Sequence, residues 1–222
     1  APQTFQLFGA HCLAVPQHAD GPDLDALRAT LEQHTPAFAY LIPTFQNPSA
    51  VRYSEHKRDA VAALLDEFGV TLLEDEPYRE LVFDQGSARP IVSRLQRASW
   101  IYTGTVSKTL LPGLRVGYLI ASLDLFPYLL RLKQSADLHT NRIGQWQALQ
   151  WLGSDHYQAH LEQLREFYRV RRDAMQAALD EHFSDLYIHG DWPRNTRDFA
   201  PTGSVLERVR QRVGDKRFTF GV

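Results

Sequence analysis

The sequence predicts an α/β fold with a mainly parallel sheet flanked by helices, and three observations carry that reading. Short apolar runs of strand length alternate with stretches of helical spacing up to about Ala121. Polar and charged residues gather just past those apolar runs, where open α/β sheets bind ligands. After Ala121 the alternation gives way to helix-like stretches alone, so a sheet domain hands over to a second, smaller region. The chain divides on this basis into a sheet domain over residues 1–155 and, over 156–222, a long connecting helix with a shortened C-terminal domain.

The elements follow in order. Residues 11–15 form a short strand candidate. Leu24, Leu27 and Leu31 recur at helical spacing over residues 23–33, after the Gly21-Pro22 breaker. The apolar run 37–42 is a strand stopped by Pro43. Residues 54–68 read as a helix with Ser54 as N-cap and Gly69 as the stop. Residues 70–73 are a buried strand that runs into acids, and 98–103 and 116–121 are further strands. Helices are expected over 123–136, 143–152 and 156–182, with Trp146 and Trp151 packing helix against sheet. Residues 189–202 have loop composition, 204–213 suit a short amphipathic helix, and 217–220 alternate like a final strand.

Composition narrows the class. A net charge of −2 over 222 residues suggests neither nucleic acid nor an acidic membrane as partner. Cys12 is the only cysteine, which rules out an intrachain disulfide and suits a reducing, cytoplasmic setting. No apolar run reaches membrane-spanning length, and the N-terminus lacks a signal-peptide pattern. His156 and His160 lie one helical turn apart, but no Glu follows His156, so no metal site is expected.

Four clusters carry chemistry. Asn47 follows Pro43-Thr44-Phe45-Gln46 and precedes Pro48. Glu74-Asp75-Glu76-Pro77-Tyr78 follows a strand; three acids there need a cation or a proton to balance them, supplied by a metal, a protonated heterocycle or solvent. Thr105, Ser107 and Lys108 follow the strand over 98–103, and Arg115 comes after a Pro-Gly turn. An amine among hydroxyls and a guanidinium suits a Schiff base with a phosphorylated aldehyde. Arg217, in the last strand candidate, reads by itself as a surface charge.

Asn-Pro, Asp-Glu-Pro-Tyr and Ser-Lys followed by Pro-Gly-Leu-Arg, in this order, resemble the class I/II aminotransferases of the fold-type I pyridoxal-phosphate enzymes. The aminoadipate and kynurenine aminotransferase-like branch is the most similar, from about Phe5 through Phe183. The resemblance implies pyridoxal 5'-phosphate as cofactor and amine transfer between an L-amino acid and a 2-oxo acid. It implies that Lys108 forms the Schiff base and moves the proton, and that Asp75 pairs with the pyridinium nitrogen. Asn47 and Tyr78 would bind the ring oxygen, and Thr105, Ser107 and Arg115 the phosphate. Arg217, with Asn47, would meet the substrate. A homodimer is implied as well. The chain departs from the family at Ser49-Ala50, where a Gly is usual after Asn-Pro, and reads as a truncated member lacking the Gly-Ser-Gln phosphate loop. Other readings are the aminotransferase-like effector domain of a transcription regulator, a lyase on the same scaffold, and a remnant that binds no cofactor.

Overall fold

The computed structural model describes residues 2–83 and 88–182. The expectations for residues 189–202, 204–213 and 217–220, Arg217 included, lie outside the described residues. In chain order the elements are α1 (Pro2–Leu7), β1 (Gln17–His18), β2 (Gly21–Pro22), α2 (Leu24–Gln33), β3 (Phe38–Leu41), α3 (Glu55–Phe68), β4 (Thr71–Asp75), β5 (Trp100–Thr105), β6 (Gly117–Ala121), α4 (Phe126–Asp137), α5 (Arg142–Leu152) and α6 (His156–His182). Four strands make the main sheet in the order β3-β4-β5-β6. The first three are parallel and β6 runs antiparallel to β5.

Local chemistry sets the ends of the helices. Asp23 caps α2 by accepting from the backbone N–H groups of Asp25 and Ala26, both at 3.0 Å. Ser54 caps α3 through the N–H of Lys57 at 3.2 Å. Gly69 ends α3 at φ 64°, a left-handed conformation that a side chain would strain. Two expectations are corrected. Residues 11–15 pair with no strand: Cys12 and Leu13 are exposed, and only a two-residue antiparallel ladder forms nearby, between β1 and β2. Trp146 does not pack against the sheet; it is 62% exposed on α5.

The core lies between the sheet and the pair α2 and α3. Leu27 and Leu31 of α2, Val61, Leu64 and Leu65 of α3, Leu72 of β4 and Ile91 close it. Alternation along β4 then decides which way each acid faces, because successive side chains point to opposite faces of a strand. Glu74 turns inward with Leu72 and is fully buried. Its two carboxylate oxygens accept from the backbone N–H groups of Ile91 (3.0 Å) and Val92 (2.8 Å). Glu76, just past the strand, is buried as well and accepts from the Thr44 hydroxyl at 3.0 Å.

The cation that faces these two acids comes from helix α3. Arg58 is completely buried, with its guanidinium 3.8 Å from Glu74 and 3.4 Å from Glu76. It also donates to the Tyr53 carbonyl (3.2 Å), the Pro43 carbonyl (3.0 Å), the Thr44 hydroxyl (2.9 Å) and the Arg89 carbonyl (3.5 Å). One guanidinium thus ties the β3–α3 loop, the end of β4 and the segment around residue 89 together. A buried guanidinium is tolerable only when its donors are filled in this way.

Two acids share one cation in a dry site, so their carboxyls hold protons more tightly than usual. Burial is the main cause for Glu74, which is pushed up to about 7 against the two backbone N–H groups that oppose it; the neighbouring Glu76 adds to the shift. Burial raises Glu76 too, with Thr44 and Arg58 opposing. The native chain therefore binds more protons than the unfolded chain between the ordinary value of 4.5 and about 7. Stability from this pair is fully present below that window and is lost as pH rises through it. Urea midpoints measured from about pH 5 to about pH 8 should fall with rising pH, and Glu76→Gln, which keeps an acceptor for Thr44 and Arg58, should flatten the slope.

A close approach between β5 and β6 gives a second expectation. A Cβ at Gly104 would sit 2.4 Å from the Tyr118 ring carbon and hydroxyl. Gly104→Ala should cost about 1–3 kcal/mol in denaturant unfolding, and combining it with Tyr118→Ala should recover part of that loss.

Candidate active site

The face of β4 opposite Arg58 carries the chemistry. The register pairs Tyr40 with Leu73 and Asp75 with Thr103, so Tyr40, Asp75 and Thr103 project from the same side of three neighbouring strands. The Tyr40 hydroxyl donates to Asp75 Oδ2 at 2.6 Å, and the Thr103 hydroxyl donates to Asp75 Oδ1 at 3.1 Å. Each carboxylate oxygen still has lone-pair capacity for a further donor. Burial, and then the adjacent Asp75, push the Tyr40 phenol well above its usual range, so it remains a donor at every working pH. Phe5 from α1 packs edge-on against the Tyr40 ring at 5.4 Å.

Pro77 and Tyr78 turn the chain out of β4 into a 3-10 turn over Arg79–Leu81. Lys108 approaches from the loop after β5, with its Nζ 5.8 Å from the centre of the Tyr78 ring. Lys108 is exposed, and no carboxylate lies within ion-pair distance of it among the described residues. Asp75, Tyr78 and Lys108, predicted as the reactive group, thus converge at the carboxyl ends of two adjacent parallel strands.

Thr105 organises the lysine's loop from within. Its hydroxyl accepts from the Ser107 N–H (3.1 Å) and lies 2.9 Å from the Ser107 hydroxyl and 3.1 Å from the Val116 carbonyl. Thr105 therefore shapes the turn that carries Ser107. The chain reaches Arg115 through a 3-10 turn over Pro112–Leu114, and Arg115 adopts φ 52°. Its exposed guanidinium has no carboxylate partner among the described residues.

The Asn47 loop is built separately and joined through Arg58. Phe45 and Ala50 have φ values of 55° and 56°, and the Gln46 side chain accepts from the Ser49 N–H at 2.9 Å. Asn47 and Pro48, joined by a cis peptide, project from this turn into solvent. Pro43 and Thr44 at its base are the residues that Arg58 grips.

Several residues that shape the site are not singled out by the sequence. Tyr40 looks like one more aromatic in an apolar run, and Thr103 like one more β-branched strand residue. Arg58 looks like a surface charge of an amphipathic helix. His160 Nε2 lies 2.8 Å from the carbonyl oxygen of Thr109, next to the lysine. Arg165, one turn on, donates to the Glu80 carbonyl at 2.8 Å, in the turn that follows Tyr78. Helix α6 so braces both the Lys108 loop and the Tyr78 turn. No group of three or more His, Cys, Asp or Glu side chains is arranged to hold a metal among the described residues, and no described helix is long and apolar enough to cross a membrane.

The chain has relatives among known proteins. The sequence pattern of the family described as aminotransferase class I and II matches residues 2–193. A 2-aminoadipate transaminase of Thermus thermophilus is 38% identical over 207 residues, covering 92% of this chain and 50% of that protein. An uncharacterized HTH-type transcriptional regulator of Bacillus subtilis, YdfD, is 30% identical over 82% of this chain and 38% of its own length. The crystal structure of an α-aminoadipate aminotransferase from Thermus thermophilus, complexed with N-(5'-phosphopyridoxyl)-L-leucine, superposes with a TM-score of 0.77 at 36% identity, over 82% of this chain and 47% of that one. The chain spans about half the length of the transaminases it matches. Sequence pattern, identity and fold agree, and the chain belongs to the class I and II aminotransferase family.

Proposed function

We propose that the chain carries the reactive lysine and ring-nitrogen partner of a pyridoxal-phosphate-dependent aminotransferase, which moves an amino group between an L-amino acid and a 2-oxo acid. The observation that supports this best is the placement of Lys108. Its amine has no carboxylate partner among the described residues and lies against the Tyr78 ring, three positions from an Asp75 carboxylate anchored on both oxygens. The residues fit the cofactor by their chemistry: an amine for an aldehyde, a carboxylate with spare lone pairs for a ring N–H, and a hydroxyl and a guanidinium for a phosphate.

When bound, pyridoxal phosphate supplies an aldehyde that exchanges amines and a ring that accepts electron density from the substrate's α-carbon. Lys108 Nζ would hold that aldehyde and would serve as the base that moves the proton at the substrate's α-carbon. Asp75 would accept from the ring N–H and would keep the ring protonated. Asn47 and Tyr78 would donate to the ring oxygen, while Ser107 and Arg115, with Thr105 setting their turn, would hold the phosphate. On the resemblance, Arg217 would pair with the substrate carboxylate. The reading extends to a cytoplasmic homodimer with a sheet domain over residues 1–155 and a second region over 156–222.

A second reading, the effector domain of a transcription regulator, has support in the similarity to the Bacillus subtilis regulator. In that reading the cofactor would bind to Lys108 without turnover.

The test is spectroscopic and chemical. Adding pyridoxal phosphate to the purified chain should produce a visible absorbance band, and borohydride should then attach the cofactor irreversibly to Lys108, as read by peptide mass. Lys108→Ala should abolish both signals. Nitrogen-labelled glutamate should pass its label to a 2-oxo acid if the chain is a transaminase; labelling of Lys108 without transfer would favour the effector domain. An unlabelled lysine would sink the cofactor assignment.

A further inference from the structure

We infer that Tyr40 is a positioning residue for this site: its hydroxyl, bonded to Asp75, sets how firmly Asp75 draws the proton it shares with a bound heterocycle. The inference rests on the proposed pyridoxal-phosphate reading. It begins from the shortest side-chain contact at the carboxylate, the 2.6 Å bond from Tyr40 to Asp75 Oδ2. The second oxygen takes the Thr103 hydroxyl at 3.1 Å, from the strand on the other side.

Among the described residues, few groups face Asp75. Tyr40 faces it from β3 and Thr103 from β5, while Tyr78, in the turn beyond β4, adds a neutral phenol. Phe5 of α1 is apolar and touches Tyr40, not the carboxylate's charge. Lys108, the nearby cation, lies over the Tyr78 ring. Arg58, Glu74 and Glu76 belong to the opposite face of the sheet. Two neutral donors are therefore the local groups that disperse the charge of Asp75. Each of these bonds takes up a lone pair of the carboxylate and leaves less of its charge for a third donor. Tyr40 can do this at any working pH because its environment keeps the phenol protonated.

The consequence is directional. Without the Tyr40 donor, negative charge concentrates on Asp75 and the proton shared with the ring nitrogen moves toward the carboxylate. The ring then withdraws less, and the nitrogen attached at the aldehyde carbon becomes more basic. The pH midpoint of the visible band should rise.

The experiment is a spectrophotometric pH titration of the full chain loaded with pyridoxal phosphate, comparing the unaltered protein with Tyr40→Phe, Thr103→Val and Phe5→Ala. Tyr40→Phe keeps the ring that packs on Phe5 and removes only the donor. Its midpoint should rise by about half a pH unit or more. Thr103→Val should move the same way, which keeps the test alive if Tyr40→Phe does not fold. Phe5→Ala removes packing but leaves the hydroxyl, and should leave the midpoint in place. Tyr40→Phe and Thr103→Val titrating like the unaltered chain would overturn the inference, as would an equal shift in Phe5→Ala. Loss of cofactor uptake in Tyr40→Phe alone would also overturn it, since the hydroxyl would then build the site and not tune it. If the unaltered chain takes up no cofactor, the functional reading fails first and this inference falls with it.

Discussion

A fully buried guanidinium organises this protein. Arg58 leaves the solvent-facing half of α3 that its neighbours Glu55, His56 and Lys57 suggest and inserts beneath the carboxyl ends of the strands. Taking a charge out of water is costly, and the cost is offset only where every donor finds an acceptor. Here three backbone carbonyls, the Thr44 hydroxyl and the Glu76 carboxylate supply them, with Glu74 close behind. Because those acceptors come from separate segments, the ion cluster sets the spacing between the Asn47 loop and the end of β4. The cluster is not fully satisfied. Glu76 Oε2 is buried without a hydrogen-bond partner among the described residues, in keeping with a site that holds one cation for two acids.

The strand's twofold alternation divides three consecutive acids between two tasks. Glu74 and Glu76 face the core, where Arg58 and backbone N–H groups neutralise them, and they carry structural load. Asp75 faces the other way, between Tyr40 and Thr103, at the sheet end where Tyr78 and Lys108 also gather. A one-residue slip of β4 would exchange these orientations and place Asp75 in the core. The inward ion cluster and the outward acceptor therefore stabilise the same register.

The lysine's loop gains its shape from several directions. Gly104 lets Tyr118 of β6 lie against the backbone, Thr105 closes the turn through Ser107 and Val116, and Arg115 takes up a left-handed conformation after the Pro-Gly turn. Helix α6 reaches the same loop through His160 and the Tyr78 turn through Arg165. Lys108 and Arg115 thus sit on loops, but the loops are tied to rigid strands and to one long helix, which is how a loop keeps its geometry while remaining open to solvent.

Local signals were legible in the sequence. Apolar periodicity, Ser54, Gly69 and the Gly21-Pro22 breaker predicted α2, α3, β3 to β6 and the later helices, because caps and breakers act within a few residues. The motifs around Asn47, Asp75 and Lys108 point to the proposed site, since strand ends in an α/β sheet meet on one side. Pairing between distant segments was not legible. The strand expected at residues 11–15 found no partner, and Trp146 met solvent. Tyr40, Thr103 and His160 acquire their roles only when register and packing bring together residues 28 to 51 positions apart, and Arg58 only when it meets Thr44 and Glu76, 14 and 18 positions away. The sequence by itself determined which side chains are available and which elements they favour; tertiary structure decided which acid meets Arg58 and which meets Tyr40, because strand register and burial are properties of the assembled sheet.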